Sequence, residues 1–408
     1  MMDYLKLSTT DFDHKALLRH PSLNFSGWTD LETSEIHSNK YGNKKYVSYL
    51  KNLKIVVYEN SCGKFTLCVL GSIHKFFNNG KHNFNDYFLK DIIITIDKLG
   101  KLLFFNAENC RIHNIEIGFN ISPMVKTKTI LKGLLSHKNV RFKSYSIPGA
   151  ELFEVIHNNY IIKVYDKAKQ YRSMGYDLPD DIIRIELKYK KMADLITLLN
   201  SKKIINRDFI VLSDLKNISV LVAFGELVIK IWNEILFYDF TINKKFLSES
   251  IQRKLDVWQN INQWESFNKQ KRLKQKKILK EVIKKHSQQL QLQISNLINE
   301  KLDTLLQKEL QINHIVDYKI DDQLTTDIDQ IDYEEGLPIN TIFRKEDGIQ
   351  KEIGIPMKLN ELNNNENKLK ELPNSKIVKK TIPIKIGVLK APLTECMNEE
   401  SEFYSGPY

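Results

Sequence analysis

The stretch that most constrains the fold spans residues 160–191, where two strand-like runs flank a polar connection. The runs are IIKVYDK and IIRIELK, a pattern that predicts two neighbouring strands. Side chains alternate between the two faces of a strand, so we expect Lys163, Tyr165 and Lys167 to share one face. The apolar residues between them then face a core, and the polar face is left for chemistry.

The second run repeats this division. Arg184, Glu186 and Lys188 are expected on one face, opposite apolar residues. A tyrosine between two lysines, beside a glutamate between two cations, suits a phosphodiester substrate. The cations can hold a phosphate, and they favour the phenolate that a tyrosine needs in order to act as a nucleophile.

A further polar strand face is predicted upstream, in the run RIHNIEIGFNISP. The strand should end before Pro123, with Glu116 and Asn120 on its polar face and Gly118 between them. A glycine at this position leaves space for a close approach.

The order of elements from residue 55 to residue 191 predicts an α+β fold. A hairpin turning at Gly63 leads to a helix that ends at Gly100, then the upstream strand, a second helix over residues 122–138, and several strands. This order favours a largely antiparallel sheet covered by helices on one face. On the uncovered face, which is free to hold a substrate, we expect Glu116, Tyr165 and Glu186 to meet.

The chain divides by composition into five segments. They are a polar, irregular lead-in outside the core (1–54), the α+β domain (55–191), a helical subdomain (192–250), a long basic helix (251–312), and an acidic, largely disordered tail (313–408). A helical C-terminal region therefore follows the sheet.

Charge favours an anionic partner. The formal net charge is +11, and residues 269–286 carry nine lysines and arginines against the single acid Glu281. On a helix these residues form a basic rod that suits DNA, although a solvated charged face in a lysine-rich chain gives the same pattern.

Cysteine usage and hydropathy indicate the compartment. The four cysteines, Cys62, Cys68, Cys110 and Cys396, form no CxxC pair and are expected to be buried reduced thiols. Neither a signal peptide nor a membrane-spanning run is visible, so we expect a soluble cytoplasmic protein.

The ordered motifs IEIGFNI, KVYDKAKQ and RIELK resemble those of replication initiators from rolling-circle plasmids of the trans-acting type and from small phages. The resemblance covers residues 55–191. It implies a metal-dependent endonuclease that nicks one strand at a replication origin, stays joined to the 5′ end through a tyrosine, and leaves a free 3′ hydroxyl. Its substrate would be single-stranded or cruciform origin DNA. A host helicase or polymerase partner and a homodimer stay open.

Carried over by position, the resemblance makes Tyr165 the nucleophile and places Glu116 and Glu186 on Mg²⁺ or Mn²⁺. Asn120 stands where a second carboxylate is usual in the upstream strand, which leaves the ligand count open. The catalytic cations are assigned as Lys163, Lys167 and Arg184. His82 offers a single nitrogen ligand.

Other interpretations of the same residues remain. Tyr165 could be an ordinary strand aromatic, with Glu186 paired to Arg184 or Lys188; Tyr160 and Tyr171 are the competing tyrosines. The alternative functions are a non-catalytic DNA-binding regulator of replication or transcription and a scaffold that associates through a coiled coil.

Overall fold

A computed structural model of the chain describes residues 1–26, 45–60 and 62–307, together with two short strand pairs outside these ranges. The strands are β1 Met2–Thr9, β2 Trp28–Thr29, β3 Ile36–His37, β4 Lys45–Leu50, β5 Leu53–Glu59, β6 Phe65–Ser72, β7 Arg111–Ile121, β8 Leu134–His137, β9 Val140–Arg141, β10 Lys143–Ile147, β11 Ala150–Ile156, β12 Tyr160–Asp166, β13 Ile183–Tyr189, β14 Ile235–Phe237, β15 Thr341–Glu346 and β16 Ile349–Gly354. Apart from the β15–β16 hairpin, the predicted tail (313–408) lies outside the described residues.

The helices follow the same chain order. They are α1 His14–Leu18, α2 Ile73–Phe77, α3 Leu89–Leu103, α4 Thr127–Gly133, α5 Lys167–Arg172, α6 Ala193–Ser201, α7 Ile218–Glu234, α8 Glu249–Gln259, α9 Ile261–Ser266, α10 Lys269–His286 and α11 Leu290–Gln307. In the described part of the chain, no helix is long and apolar enough to cross a membrane.

Nine strands form one antiparallel sheet in the order β10–β11–β12–β13–β7–β1–β6–β5–β4. This confirms the α+β prediction and the pairing of the two runs in residues 160–191. The register places Lys163 opposite Glu186 and Tyr165 opposite Arg184. On the other side of β13, Lys188 faces Glu116. Antiparallel pairing thereby brings three polar strand faces side by side.

The opposite face of the sheet is apolar and forms the main core. Ile117, Ile185 and Val164 are at most 1% exposed and cluster with the buried faces of α3, α7 and α11. Each fully buried aliphatic side chain of this kind contributes about 1.5–3 kcal/mol relative to exposure. The helices thus fix the sheet from one side, as the sequence predicted.

The expectation that residues 1–54 lie outside the core is wrong for β1. This strand runs between β6 and β7 near the middle of the sheet, and Met2, Leu5 and Leu7 are buried. Eight residues suffice for a central strand because both edges of its backbone pair with neighbours. The division of the chain into five segments otherwise stays a prediction.

Several element boundaries differ from the predictions. The helix that was predicted to end at Gly100 is α3, which begins at Leu89 and continues past Gly100 to Leu103. The second stops at Gly133, since residues 134–137 pair with β14 as a strand. A β-carbon on Gly133 would lie 2.5 Å from the Tyr238 carbonyl oxygen, which explains a glycine at this turn.

The predicted long helix over residues 251–312 is four helices, α8 to α11. Asn260 and Asn268 each accept a hydrogen bond from a backbone N–H two or three residues later, which starts a new helix. The absence of glycine and proline therefore does not guarantee one continuous helix. The basic segment, residues 269–286, is α10 alone.

The cysteines fit the expected reduced state but not uniform burial. Cys68 and Cys110 are buried free thiols, whereas the thiol of Cys62 is exposed in the β5–β6 turn. Cys396 lies outside the described residues.

Candidate active site

The predicted tyrosine lies in a buried cluster of charged groups on the polar face of β12, β13 and β7. The Tyr165 hydroxyl oxygen is 3.4 Å from Glu186 Oε2 and 3.2 Å from Lys167 Nζ. Tyr165 is 7% exposed and Glu186 3%. The hydroxyl therefore lies between a carboxylate and an amine, away from bulk water.

Lys163 bridges the two predicted glutamate ligands. Its Nζ lies 3.1 Å from Glu116 Oε1 and 3.4 Å from Glu186 Oε1. Lys188 also approaches Glu116, at 3.5 Å. The ammonium group of Lys163 thus sits between two carboxylates that the sequence assigned to a metal ion.

Arg184 holds the cluster together from β13. Its Nε donates to Glu186 at 2.5 Å, its Nη1 to the Asn120 side-chain oxygen at 2.9 Å, and its Nη2 to Asp3 at 2.8 Å. Burial disfavours the charged guanidinium, but Asp3 and Glu186 more than offset this and raise the Arg184 pKa. A guanidinium with three such partners is a fixed positive charge.

Asp3 is the residue that sequence reasoning missed. It is 5% exposed, and it accepts hydrogen bonds from Ser72, from Asn83 Nδ2 at 2.5 Å, and from Arg184. Strict alternation along β1 would place Asp3 on the core face with Leu5. The register slips by one residue between Met2 and Leu5, so Asp3 turns toward the polar face instead.

Three carboxylates in the cluster could hold a cation. Oxygen atoms of Asp3, Glu116 and Glu186 lie within 4.8 Å of one another, and an all-oxygen donor set fits Mg²⁺ or Mn²⁺. A bound ion would compete with Lys163 for Glu116 and Glu186. Asn120, the other predicted ligand, is turned away: its oxygen accepts from Arg184, and its amide nitrogen donates to the backbone of Asn83 and Phe84.

The electrostatics of Tyr165 differ from the prediction that lysine neighbours favour its phenolate. Burial, and then the Glu186 charge, raises the Tyr165 pKa well above its ordinary value. Burial disfavours an ionised Glu186 as well, but Lys163 and Arg184 outweigh it and lower the Glu186 pKa. For Glu116, burial prevails over Lys163 and the pKa is raised. The hydroxyl is therefore protonated in this arrangement.

Lys167 has the properties of a proton acceptor. It is the first residue of α5 and not part of β12 as predicted, and it is 3% exposed. Burial, followed by the Arg184 charge, lowers the Lys167 pKa to about 7. At neutral pH a large fraction of this side chain is thus an uncharged amine within hydrogen-bonding distance of Tyr165.

The polar face is covered at the cluster, contrary to the expectation of a free surface. Residues 82–87 lie over it: the Asn83 and Phe84 carbonyls accept from Asn120, and the Tyr171 hydroxyl donates to Asn83 Oδ1 at 2.8 Å. Lys301 of α11 ties Asp86 down at 2.9 Å. This covering segment, residues 82–87, therefore contacts Asp3, Asn120 and Tyr171 on the polar face.

The other candidate residues lie outside the cluster or at its margin. The His82 ring stacks on Phe84 at 4.2 Å and meets no carboxylate of the cluster. Tyr160 packs in the apolar core, with its hydroxyl 3.3 Å from Lys138 Nζ. Tyr171 is in α5, and Lys167 Nζ lies 4.9 Å from its ring centroid.

Gly118 allows a close approach, but of a strand and not of a substrate. It lies opposite Glu186 in the register, and a β-carbon on it would be 2.9 Å from the Ile185 carbonyl oxygen. A side chain at residue 118 would push β13 away and displace Glu186.

Comparison with known proteins does not assign this chain to a family. No family model matches the chain, and no curated protein does. Among solved structures, the rolling circle replication initiator protein from Geobacillus stearothermophilus is similar at a TM-score of 0.32 and 12% identity. The match covers 62% of this chain and 90% of that one. Similarity this low shows neither a common fold nor a common activity.

Proposed function

We propose that the protein nicks one strand of DNA through Tyr165 and rejoins it, as an initiator of rolling-circle replication does. One observation carries the proposal: the Tyr165 hydroxyl contacts Lys167 and Glu186, and Glu186 is one of three neighbouring carboxylates, with Asp3 and Glu116, that could hold a cation. The order of the sequence motifs supports the same assignment.

The chemistry follows from these positions. The Tyr165 oxygen attacks a backbone phosphorus, the new bond joins it to the 5′ phosphate, and the bond to the 3′ oxygen breaks. Lys167 accepts the proton that Tyr165 loses, and the departing 3′ oxygen takes up a proton to become a hydroxyl. The reverse reaction reseals the strand.

The carboxylates would hold Mg²⁺ or Mn²⁺ through Asp3, Glu116 and Glu186. The bound ion would supply positive charge against the nonbridging phosphate oxygens. Lys163 has to leave the two glutamates for this, and its ammonium group is then free to contact the phosphate.

A labelled single-stranded oligonucleotide and Mn²⁺ test the proposal. A covalent protein–DNA adduct should form with the wild-type protein and with Tyr171→Phe, a matched loss of one nearby hydroxyl. It should be absent from Tyr165→Phe. An adduct that persists in Tyr165→Phe rejects this nucleophile.

The alternative is a DNA-binding regulator without catalysis. The closed arrangement favours it, because every carboxylate of the cluster is paired with a cation and Tyr165 is protonated. Such a protein would bind DNA with no need for metal and would form no adduct, so the same experiment separates the two functions.

A further inference from the structure

We propose that a groove between α10 and β14, beside the β8–β9 turn, binds a backbone phosphate of a nucleic-acid strand. The groove is a cavity of about 410 Å³. One wall consists of Lys276, Leu279, Lys280 and Ile283 from α10, and Lys138 and Phe237 are part of the other. None of these residues belongs to the cluster around Tyr165.

Lys276 is the central residue of the groove. It is half-buried, and the groups that shift its pKa all lower it: burial first, then the charges of Arg272 and Lys280. Within the described residues, no carboxylate pairs with Lys276 or Lys280. Two neighbouring cations, one of them half-buried, are thus left without an anion, and a half-buried charge of this kind is costly until one binds.

The opposite wall adds a third cation and holds it in place. Lys138 Nζ lies 3.4 Å from Glu234 Oε2 and 3.3 Å from the Tyr160 hydroxyl. Glu234 is the one acid among the lining residues, so three lysines and one glutamate leave an excess of two positive charges. An anionic group, and not a cation or a neutral ligand, fits this balance.

The ligand that best fits the groove is one nucleotide unit of a nucleic-acid strand. The volume is within the roughly 300–1,000 Å³ of small-ligand sites, and the apolar side chains Leu279 and Phe237 lie beside the lysines. A nucleotide unit combines these two characters. The exposed Lys274, Lys277, Lys284 and Lys285 lie on the same helix outside the groove, where they would meet neighbouring phosphates of the same nucleic-acid strand.

Two double variants of the same helix test the groove. Lys276→Gln with Lys280→Gln removes the two cations of the groove, and Lys274→Gln with Lys277→Gln removes two exposed cations outside it. Glutamine keeps helix propensity. We expect the groove pair to weaken binding of a single-stranded oligonucleotide about tenfold more than the control pair, as a specific phosphate contact would. An equal loss of affinity in the two variants would mean that α10 binds the oligonucleotide only as a nonspecific charged face, and would overturn the proposal.

Lysine acylation read by mass spectrometry gives a second, independent measurement. A lowered pKa increases the fraction of reactive, uncharged amine on Lys276. Lys276 should therefore be labelled in the free protein and protected by the oligonucleotide, while Lys274 is protected less. The same labelling is repeated with inorganic pyrophosphate and with a free nucleotide in place of the oligonucleotide. Protection by the oligonucleotide at concentrations where these have no effect supports a strand. Protection by the small phosphates alone, or by nothing, contradicts it.

The proposals for the groove and for the nicking reaction can be rejected independently of each other. Loss of the adduct in Tyr165→Phe leaves oligonucleotide protection of Lys276 unchanged. The groove variants, in turn, should still form the adduct at saturating oligonucleotide.

Discussion

Lys167 Nζ lies 3.2 Å from the Tyr165 hydroxyl oxygen and donates a hydrogen bond to it, while the hydroxyl donates to Glu186. In its uncharged form the same amine is placed to accept the proton that Tyr165 loses. Burial lowers the Lys167 pKa to about 7. The amine accepts a proton only in its uncharged form, and the fraction of uncharged amine increases as pH rises. The single-turnover nicking rate should therefore increase from pH 5.5 through about 7 and level off above it.

Lys167→Met should remove this pH dependence and slow nicking by roughly 10²–10⁴-fold, the usual contribution of a general base. Lys169→Met, on an exposed position of the same helix, is the control and should keep the wild-type profile. An unchanged profile in Lys167→Met assigns the base to another group.

Glu116→Gln and Glu186→Gln should each raise the Mn²⁺ concentration that gives half-maximal nicking. The amide keeps the side-chain shape but loses the charge that attracts a hard cation. Titration of Mn²⁺ with each variant measures the change, with Glu151→Gln on the exposed side of β11 as control. Identical titrations for all four proteins would mean that the carboxylates hold no catalytic metal.

Arg184→Met should destabilise the fold by about 3–5 kcal/mol, since it leaves Asp3 and Glu186 buried without their shared partner. Urea unfolding of the two proteins measures the difference. As a control, Arg253→Met removes an exposed ion pair with Glu249 and should cost at most about 1 kcal/mol. A loss below 1 kcal/mol in Arg184→Met would show that the cluster tolerates uncompensated carboxylates.

The sequence predicted those parts of the site that depend only on the alternation of side chains along a strand. Tyr165 and Glu186 lie on the same face of the paired strands β12 and β13, in diagonal positions, because the alternation of polar and apolar residues is visible in both runs. Asp3 was not predictable, since a one-residue slip in β1 reverses its face. The covering segment, residues 82–87, was missed as well, because its contacts with Asn120 join residues about 36 apart in the chain.

Salt dependence tests whether α10 contacts DNA. Replacing Lys274, Lys276, Lys277 and Lys280 together with glutamine removes four charges from one helix of 18 residues. The slope of log affinity against log salt should become shallower by roughly two to three units, at about 0.7 per phosphate contact on a single strand. The nicking rate of a bound short strand should change little. An unchanged slope would mean that DNA is held elsewhere.

The covalent adduct at Tyr165 is the most direct measurement of the central claim. Wild-type protein, a 5′-labelled or 3′-labelled single-stranded origin oligonucleotide and Mn²⁺ are combined, and the tryptic peptide that carries the nucleotide is sequenced by mass spectrometry. We predict that the label at the 3′ side of the nick stays with the protein, on Tyr165, and that the other fragment ends in a free 3′ hydroxyl. An adduct on Tyr160 or Tyr171, or cleavage that proceeds in Tyr165→Phe, would contradict the account.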